Sequence, residues 1–137
     1  MSARKSTVVS TGISAAVSTT VENDARSTAP ALARAMPPLV AWMFPMATPL
    51  GQGAMFRAGL TRARVVAAVA LGGVIALAAL GVVGLLVFGL TAAASLGVGW
   101  FYTRRVGGIT GDVLGAVIET TELIVLLTMV AWTSGPR

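Results

Sequence analysis

The chain has 137 residues, of which 55% are hydrophobic and only 11% charged, whereas a typical globular chain carries about 25% charged residues. That deficit excludes an ordinary soluble surface, and the absence of cysteine and histidine excludes disulfides, thiolate zinc sites and imidazole chemistry. The net charge of +5 comes from basic residues that flank apolar runs, which is a membrane orientation signal rather than a nucleic-acid surface.

Residues 1–28 contain eleven Ser or Thr and form a polar N-terminal segment of low order, with Val8 to Val21 as a weak helix. Arg4 and Lys5 are not followed by a sustained apolar centre, so this start does not have the form of a secretory signal. At Ala29 the texture changes, and residues 29–132 read as a helical membrane domain. Ala31 to Leu50 is largely apolar but carries Pro37, Pro38, Pro45 and Pro49. Proline removes a backbone donor and clashes with the preceding turn. The expectation is therefore a broken helix or interfacial segment, with Trp42 and Phe44 at the level of the lipid headgroups. Gly51-Gln52-Gly53 makes a loop, and Met55 to Arg64 forms a short basic helix or loop with Arg57, Arg62 and Arg64.

Val65 to Tyr102 has no charged residue over 38 positions, and only Thr91 and Ser95 are polar apart from the terminal Trp and Tyr. One helix of that length would run about 57 Å, nearly twice a hydrocarbon core of roughly 30 Å. Two helices joined by a tight turn fit better. Gly81 and Gly84, near the middle of the run, place that turn. Arg62 and Arg64 precede the hairpin and Arg104 and Arg105 follow it, so a hairpin brings both basic ends to one face, which the positive-inside rule makes cytoplasmic. A further helix follows over about Thr110 to Trp132, long enough to span once, with Pro136 and Arg137 beyond it. The fold class is thus all-α, a polytopic membrane protein with about three transmembrane helices after a broken Pro-rich segment.

Only five residues are acidic, and three of them, Asp112, Glu119 and Glu122, fall within eleven positions of this last helix. At about 100° per residue, Asp112, Gly115, Glu119 and Glu122 share one arc of roughly 80°. A carboxylate in hydrocarbon costs about 2.5–3.5 kcal/mol on insertion scales, so the stripe should face protein, water, a cation or a substrate. The bland reading for both glutamates is pairing with an arginine or a backbone donor of a neighbouring helix.

Ahead of the stripe stands Arg104-Arg105-Val106-Gly107-Gly108-Ile109-Thr110-Gly111-Asp112. Two guanidinium groups precede a glycine-rich turn that opens a helix, with Thr110 as its N-cap. Open backbone N–H groups and the positive helix end favour an anion, and arginine supplies forked donors suited to phosphate. With no Cys or His, a metal must use oxygen ligands, and Asp112 in the first turn can hold Mg2+ bridging such a phosphate. The competing reading is a membrane-flanking basic cluster, an ordinary turn and a first-turn acid that favours the helix dipole. Gly107, Gly111 and Gly115 also form a small-xxx-small ladder, whose commoner meaning is helix packing in a membrane.

The run Arg104 to Ala116, followed by Thr121-Glu122, closely resembles the C-terminal signature of the cobalamin synthase family, the adenosylcobinamide-GDP ribazoletransferases. Ala29 to Leu60 is also similar, with Pro49, Gly51, Gly53 and Phe56 in the family's Pro- and Gly-containing loop, so the likeness covers about Ala29 to Trp132. It implies a Mg2+-dependent, multi-span enzyme of the bacterial plasma (inner) membrane, surrounded by lipid and with no nucleic-acid partner. In vitamin B12 biosynthesis this family transfers the cobinamide phosphate from adenosylcobinamide-GDP to a hydroxyl of α-ribazole and releases GMP. The resemblance makes Asp112 a catalytic residue and the metal ligand, and Glu122 a second catalytic residue. It makes Arg104, Arg105, Gly107, Gly108, Thr110 and Gly111 the phosphate-binding set. Glu119 falls where the family is expected to have a neutral amide.

This sequence departs from the family in two respects. Family members are roughly twice as long, and their N-terminal half carries an Asp-rich metal motif that Glu22-Asn23-Asp24 does not match. Thr48 and Leu50 stand where a basic and an acidic residue are expected. The chain therefore reads as a C-terminal half, a truncated product or one part of a split enzyme. It is expected to be inactive alone, its further partner being the missing half or another copy of itself. Two other classes remain: an ion-translocating hairpin protein, and a structural membrane protein, either using the Asp112/Glu119/Glu122 stripe.

Overall fold

The computed structural model describes the backbone of residues 2–134; of their side chains it describes Ala16, Thr19, Thr20, Asn23 and those from Ser27 onward except Thr133. Four helices follow in order: α1 Ser2–Met43, α2 Gln52–Ala58, α3 Arg62–Val106 and α4 Gly111–Ser134. The fold is all-helical. Among the described residues the sole β-type pairing is an isolated parallel bridge between Met46 and Ile109.

The helix α1 is longer than its prolines imply. Its backbone is helical from Ser2, well beyond the weak helix expected over 8–21, and it runs through Pro30, Pro37 and Pro38. The broken helix expected at Pro37-Pro38 is thus corrected: the helix continues to Met43 and ends before Pro45. Each internal proline leaves a carbonyl one turn back without its donor, a local cost of about 3 kcal/mol. Tertiary packing outweighs it. Leu32, Ala33, Met36, Val40 and Ala41 are fully buried, and a buried large aliphatic side chain contributes about 1.5–3 kcal/mol. Burial of the described side chains begins at Thr28 and Ala29, close to the composition change. The side chains of Glu22 and Asp24, and Pro136 and Arg137, lie outside the described residues.

Within α3 the chain reverses at Gly81, whose φ of 61° and ψ of −143° lie outside the helical region. Two contacts fix the reversal. A Cβ on Gly72 would lie 3.2 Å from the Phe88 ring, and one on Gly84 would lie 1.9 Å from the Ala76 carbonyl oxygen. Both pairs centre on Leu80. In an unbroken helix, residues 72 and 88 would be about 24 Å apart. Gly81 adopts a backbone conformation open essentially to glycine alone, and Gly84 admits no side chain. The hairpin turn therefore falls where the two central glycines place it.

α3 and α4 are each long and apolar enough to cross a membrane. α1 packs against both. One buried cluster joins Met36, Val40 and Ala41 of α1 to Ile109, Val113 and Val117 beside and within α4. A second joins Ala29 and Leu32 to Ala76, Val87, Val125 and Met129. Between α3 and α4, the Ser95 and Thr121 hydroxyls meet at 3.2 Å in the buried interior. Each hydroxyl also donates within its own helix, Ser95 to the Thr91 carbonyl and Thr121 to the Val117 carbonyl.

Candidate functional site

The reversal at Gly81 returns the second arm of α3 to the end where its first arm began. Arg62 and Arg64 at the start of α3, and Arg104 and Arg105 in its last turn, therefore share one end of the molecule. All four are exposed. The Arg104 guanidinium lies 4.6 Å from the centroid of the Trp100 ring, and that of Arg105 lies 5.6 Å from the Phe101 ring. These stacks hold the cations near the helix end while leaving their N–H edges free, and cations there complement the helix dipole.

Gly107 ends α3 in the left-handed conformation, φ 85°, and its N–H donates to the Thr103 carbonyl at 3.0 Å. The next residues are locked by a segment the sequence reading did not connect to them. Ile109 donates to the Pro45 carbonyl at 2.8 Å, and Ala47 donates to the Ile109 carbonyl at 3.0 Å. The segment after α1 thus lies directly on the glycine turn. Gly108 makes this approach possible, since a Cβ there would sit 2.5 Å from the Ala47 nitrogen and 2.7 Å from the Pro45 oxygen. Gly108 is buried. The side on which its Cβ would stand faces the loop, while Gly107, Gly111 and Asp112 are exposed.

Thr110 caps α4 as its sequence position implies: its Oγ1 accepts from the Val113 N–H at 3.4 Å. The amides of Gly111 and Asp112 have no acceptor one turn back, as first-turn amides never do. Asp112 is exposed in that first turn. The start of α2 reaches the same point, because a Cβ on buried Gly53 would lie 3.1 Å from the Gly111 nitrogen. Two glycine-bearing loops and the open start of a helix are therefore packed together, with arginines and one carboxylate at their surface.

Arg57 is the residue that sequence reasoning missed. It counted only as part of a basic stretch, yet its half-buried guanidinium donates to the Ala41 carbonyl at 2.6 Å and to the Phe44 carbonyl. It caps the C-terminal end of α1 and so fixes the loop that seals the turn. Its one sequence signal is an arginine on a short helix close behind a proline-bearing helix end.

The structure separates the three carboxylates. Asp112 and Glu119 are exposed and Glu122 is half-buried. The buried residues of α4 are Val113, Leu114, Val117, Thr121, Val125 and Met129. Asp112 and Glu119 lie on the opposite face and point out of the bundle, while half-buried Glu122 stands at the edge of the buried face, about 20° from Met129. Asp112 and Glu122 are ten residues apart on one helix, about 15 Å, and cannot ligate the same ion. No group of three or more acidic side chains able to hold a metal occurs among the described residues.

A family model described as cobalamin-5-phosphate synthase matches residues 5–130, extending the likeness seen from Ala29 back into the polar N-terminal segment. An adenosylcobinamide-GDP ribazoletransferase of Klebsiella pneumoniae is 34% identical over 99 residues, 72% of this chain and 40% of that protein. The protein of the same name from Ralstonia nicotianae is 52% identical over 42 residues, 31% of this chain and 16% of its own length. That of Ralstonia pickettii is 44% identical over 63 residues, 39% of this chain and 25% of its own. The matches span no more than 40% of the length of these three relatives. No solved structure matches. With nearly all of its length under one family model, the chain belongs to the cobalamin-5-phosphate synthase family.

Proposed function

We propose that this chain provides one part of the site of a membrane-embedded adenosylcobinamide-GDP ribazoletransferase. The observation that carries the reading is the seal of the 45–47 segment on the 107–110 turn. It presents Arg104, Arg105, the open amides of Gly111 and Asp112, and the Asp112 carboxylate at one end of the bundle. In the reaction, a hydroxyl of α-ribazole attacks the cobinamide-linked phosphorus, the pyrophosphate P–O bond breaks, GMP leaves, and the hydroxyl proton passes to a base. Negative charge grows on the bridging oxygen as it departs. Guanidinium donors and a helix start aimed at that position favour the transition state over the ground state.

Mg2+ suits this donor set. It is held by one or two carboxylates and completes its shell with water and substrate phosphate. Asp112 would be this chain's ligand, and the ion would screen the pyrophosphate charge. Glu122, about 15 Å further along α4, would serve a different portion of an extended substrate. The relatives are longer than the region matched here, and further ligands would come from outside that region; the 137 residues by themselves are expected to be inactive. No observation favours an ion-translocating or purely structural use of the stripe.

The two arms of α3 and helix α4 are three spans in this reading, with the basic end in the cytoplasm of a bacterium and the helices in its plasma membrane. The most apolar windows of α3 and α4 are only 22% and 33% buried within the fold. Core helices of a soluble protein would be mostly buried, so this outward apolar surface supports contact with lipid.

The test uses membranes of a bacterium lacking the ribazoletransferase, supplied with adenosylcobinamide-GDP, α-ribazole and Mg2+, and reads GMP and corrinoid product. The chain alone is expected to give none. Co-expressed with the part of the Klebsiella pneumoniae relative that it does not match, it is expected to give product, and Asp112→Asn to lower that rate by at least about 100-fold. Full activity of the Asp112→Asn pair, or product from the 137-residue chain alone, would sink the reading.

A further inference from the structure

Arg34 is exposed on α1 and has neither a hydrogen bond nor an ion pair among the described residues. It borders a groove of about 280 Å3 between α1 and the first arm of α3, lined by Ala31, Ala35, Ala68, Leu71, Gly72 and Ile75. Arg34 lies nine residues before the end of α1, about 13 Å along the axis. Glu119 lies eight residues into α4, about 12 Å along it. The end of α1 and the start of α4 are held level by the Met46–Ile109 bridge. The chain therefore carries an unpaired cation and an unpaired anion at the same depth, both outward, each inside an apolar surface where an isolated charge is costly.

We propose that a second copy of this chain covers the groove, seating its α4 there with the Glu119 carboxylate accepting from the Arg34 guanidinium. Copies with the same orientation in a membrane are related by an axis along its normal, which preserves depth, so groups can meet across the interface only at matched levels. Arg34 and Glu119 meet that condition. The groove supports close approach, because Ala31, Ala35, Ala68 and Gly72 are small, and membrane helices pack closely through such residues. On α4, Gly115 stands one turn before Glu119 with open space where its Cβ would be, so the entering helix is slim where it must fit. A guanidinium meeting a carboxylate in a desolvated contact forms a charge-assisted, forked pair that fixes register as well as affinity. The inference rests on the membrane placement of α3 and α4 and not on the reaction, so its test reads association alone.

Two differently tagged copies are co-expressed and recovered from membranes in mild detergent. One carries Ala31→Cys and the other Leu123→Cys, each twelve residues or about 18 Å from the bridged end, the natural chain having no cysteine. The wild-type background is expected to give co-purification and a thiol cross-link between the copies. Arg34→Glu in both copies, or Glu119→Arg in both, places like charges together and lowers both signals by at least about tenfold. Mixing Arg34→Glu copies with Glu119→Arg copies restores opposite charges at every contact and returns the signals to within about twofold of wild type. Arg34→Gln and Glu119→Gln, which insert without a reversed charge, lower them by a smaller factor. Three outcomes would overturn the proposal: no self-association of the wild type, as when a different polypeptide covers the groove; charge variants that associate like the wild type; or a mixture no better than its components, which an ion pair within one copy would give.

Discussion

Replacing Gly108 with alanine tests whether the sealed turn is the element that organises the site. The added methyl would sit 2.5 Å from the Ala47 nitrogen, 2.7 Å from the Met46 carbonyl carbon and 2.7 Å from the Pro45 oxygen. All three are backbone atoms, so no side chain can swing away to make room. The segments must separate, which removes the Ile109-to-Pro45 and Ala47-to-Ile109 hydrogen bonds. Two such bonds contribute about 0.5–1.5 kcal/mol each, and forced overpacking costs about 1–3 kcal/mol. A loss of about 2–6 kcal/mol follows. Hydrogen exchange of the Ala47 and Ile109 amides in detergent micelles should quicken by at least about 30-fold, since about 1.4 kcal/mol is a factor of ten. Two neighbouring variants serve as controls. Gly115→Ala meets nothing within 4 Å and should leave exchange at the turn unchanged. Gly107→Ala also meets nothing, but its φ of +85° costs a side chain about 1–2 kcal/mol, which places it between the other two. Exchange in Gly108→Ala within about twofold of wild type would refute the claim that the 45–47 segment and the turn form one unit.

Arg57→Ala removes two charge-assisted bonds to the end of α1 and should cost about 1.5–3 kcal/mol in thermal unfolding; faster exchange confined to residues 44–47 would accompany it, and an unchanged melting temperature would contradict the capping role. Thr121→Val keeps the shape of a fully buried side chain and removes the contact to Ser95, which retains its 2.7 Å bond to the Thr91 carbonyl. Its expected cost is therefore only about 0.6 kcal/mol, the usual value for such bonds between membrane helices, and a loss above about 2 kcal/mol would mean that the pair holds α3 to α4.

The hairpin was legible in the sequence because a length limit forces it. An apolar run too long for one crossing must turn, and the turn falls at glycines that tolerate what other residues cannot. The Thr110 cap and the extent of α4 were legible for a similar reason, since both follow from residues adjacent in the chain. The path of α1 was not. Pro37 and Pro38 carry a strong local signal against helix, and only the burial of Leu32, Met36 and Val40 against α3 and α4 overrides it. The seal between Met46 and Ile109 was hidden for another reason. Two backbone strands of a few residues, far apart in sequence, pair without any periodicity to announce them. The resemblance placed both the Pro-Gly loop and the Arg-Gly-Gly turn in one family pattern, but their contact emerges only in three dimensions. Gly108 shows the consequence. Its sequence context suits a phosphate loop, and its lack of a side chain also lets a second loop lie on top.

The carboxylate stripe is where sequence physics and structure together say more than either alone. Cost arguments require Asp112, Glu119 and Glu122 to face something other than hydrocarbon. The fold answers that the described residues of this chain leave Asp112 and Glu119 outward, because α4 buries its opposite face, and half-bury Glu122 at the edge of that face. What covers the stripe must then differ along its length. At Asp112 the neighbours are an open helix start and the arginine-bearing end of the bundle, which suits a phosphate and its cation. At Glu119 the preceding turn carries the small residues Gly115 and Ala116, which leaves room for a helix bringing a guanidinium. A single helix can serve both needs because its axis runs from one of these settings to the other.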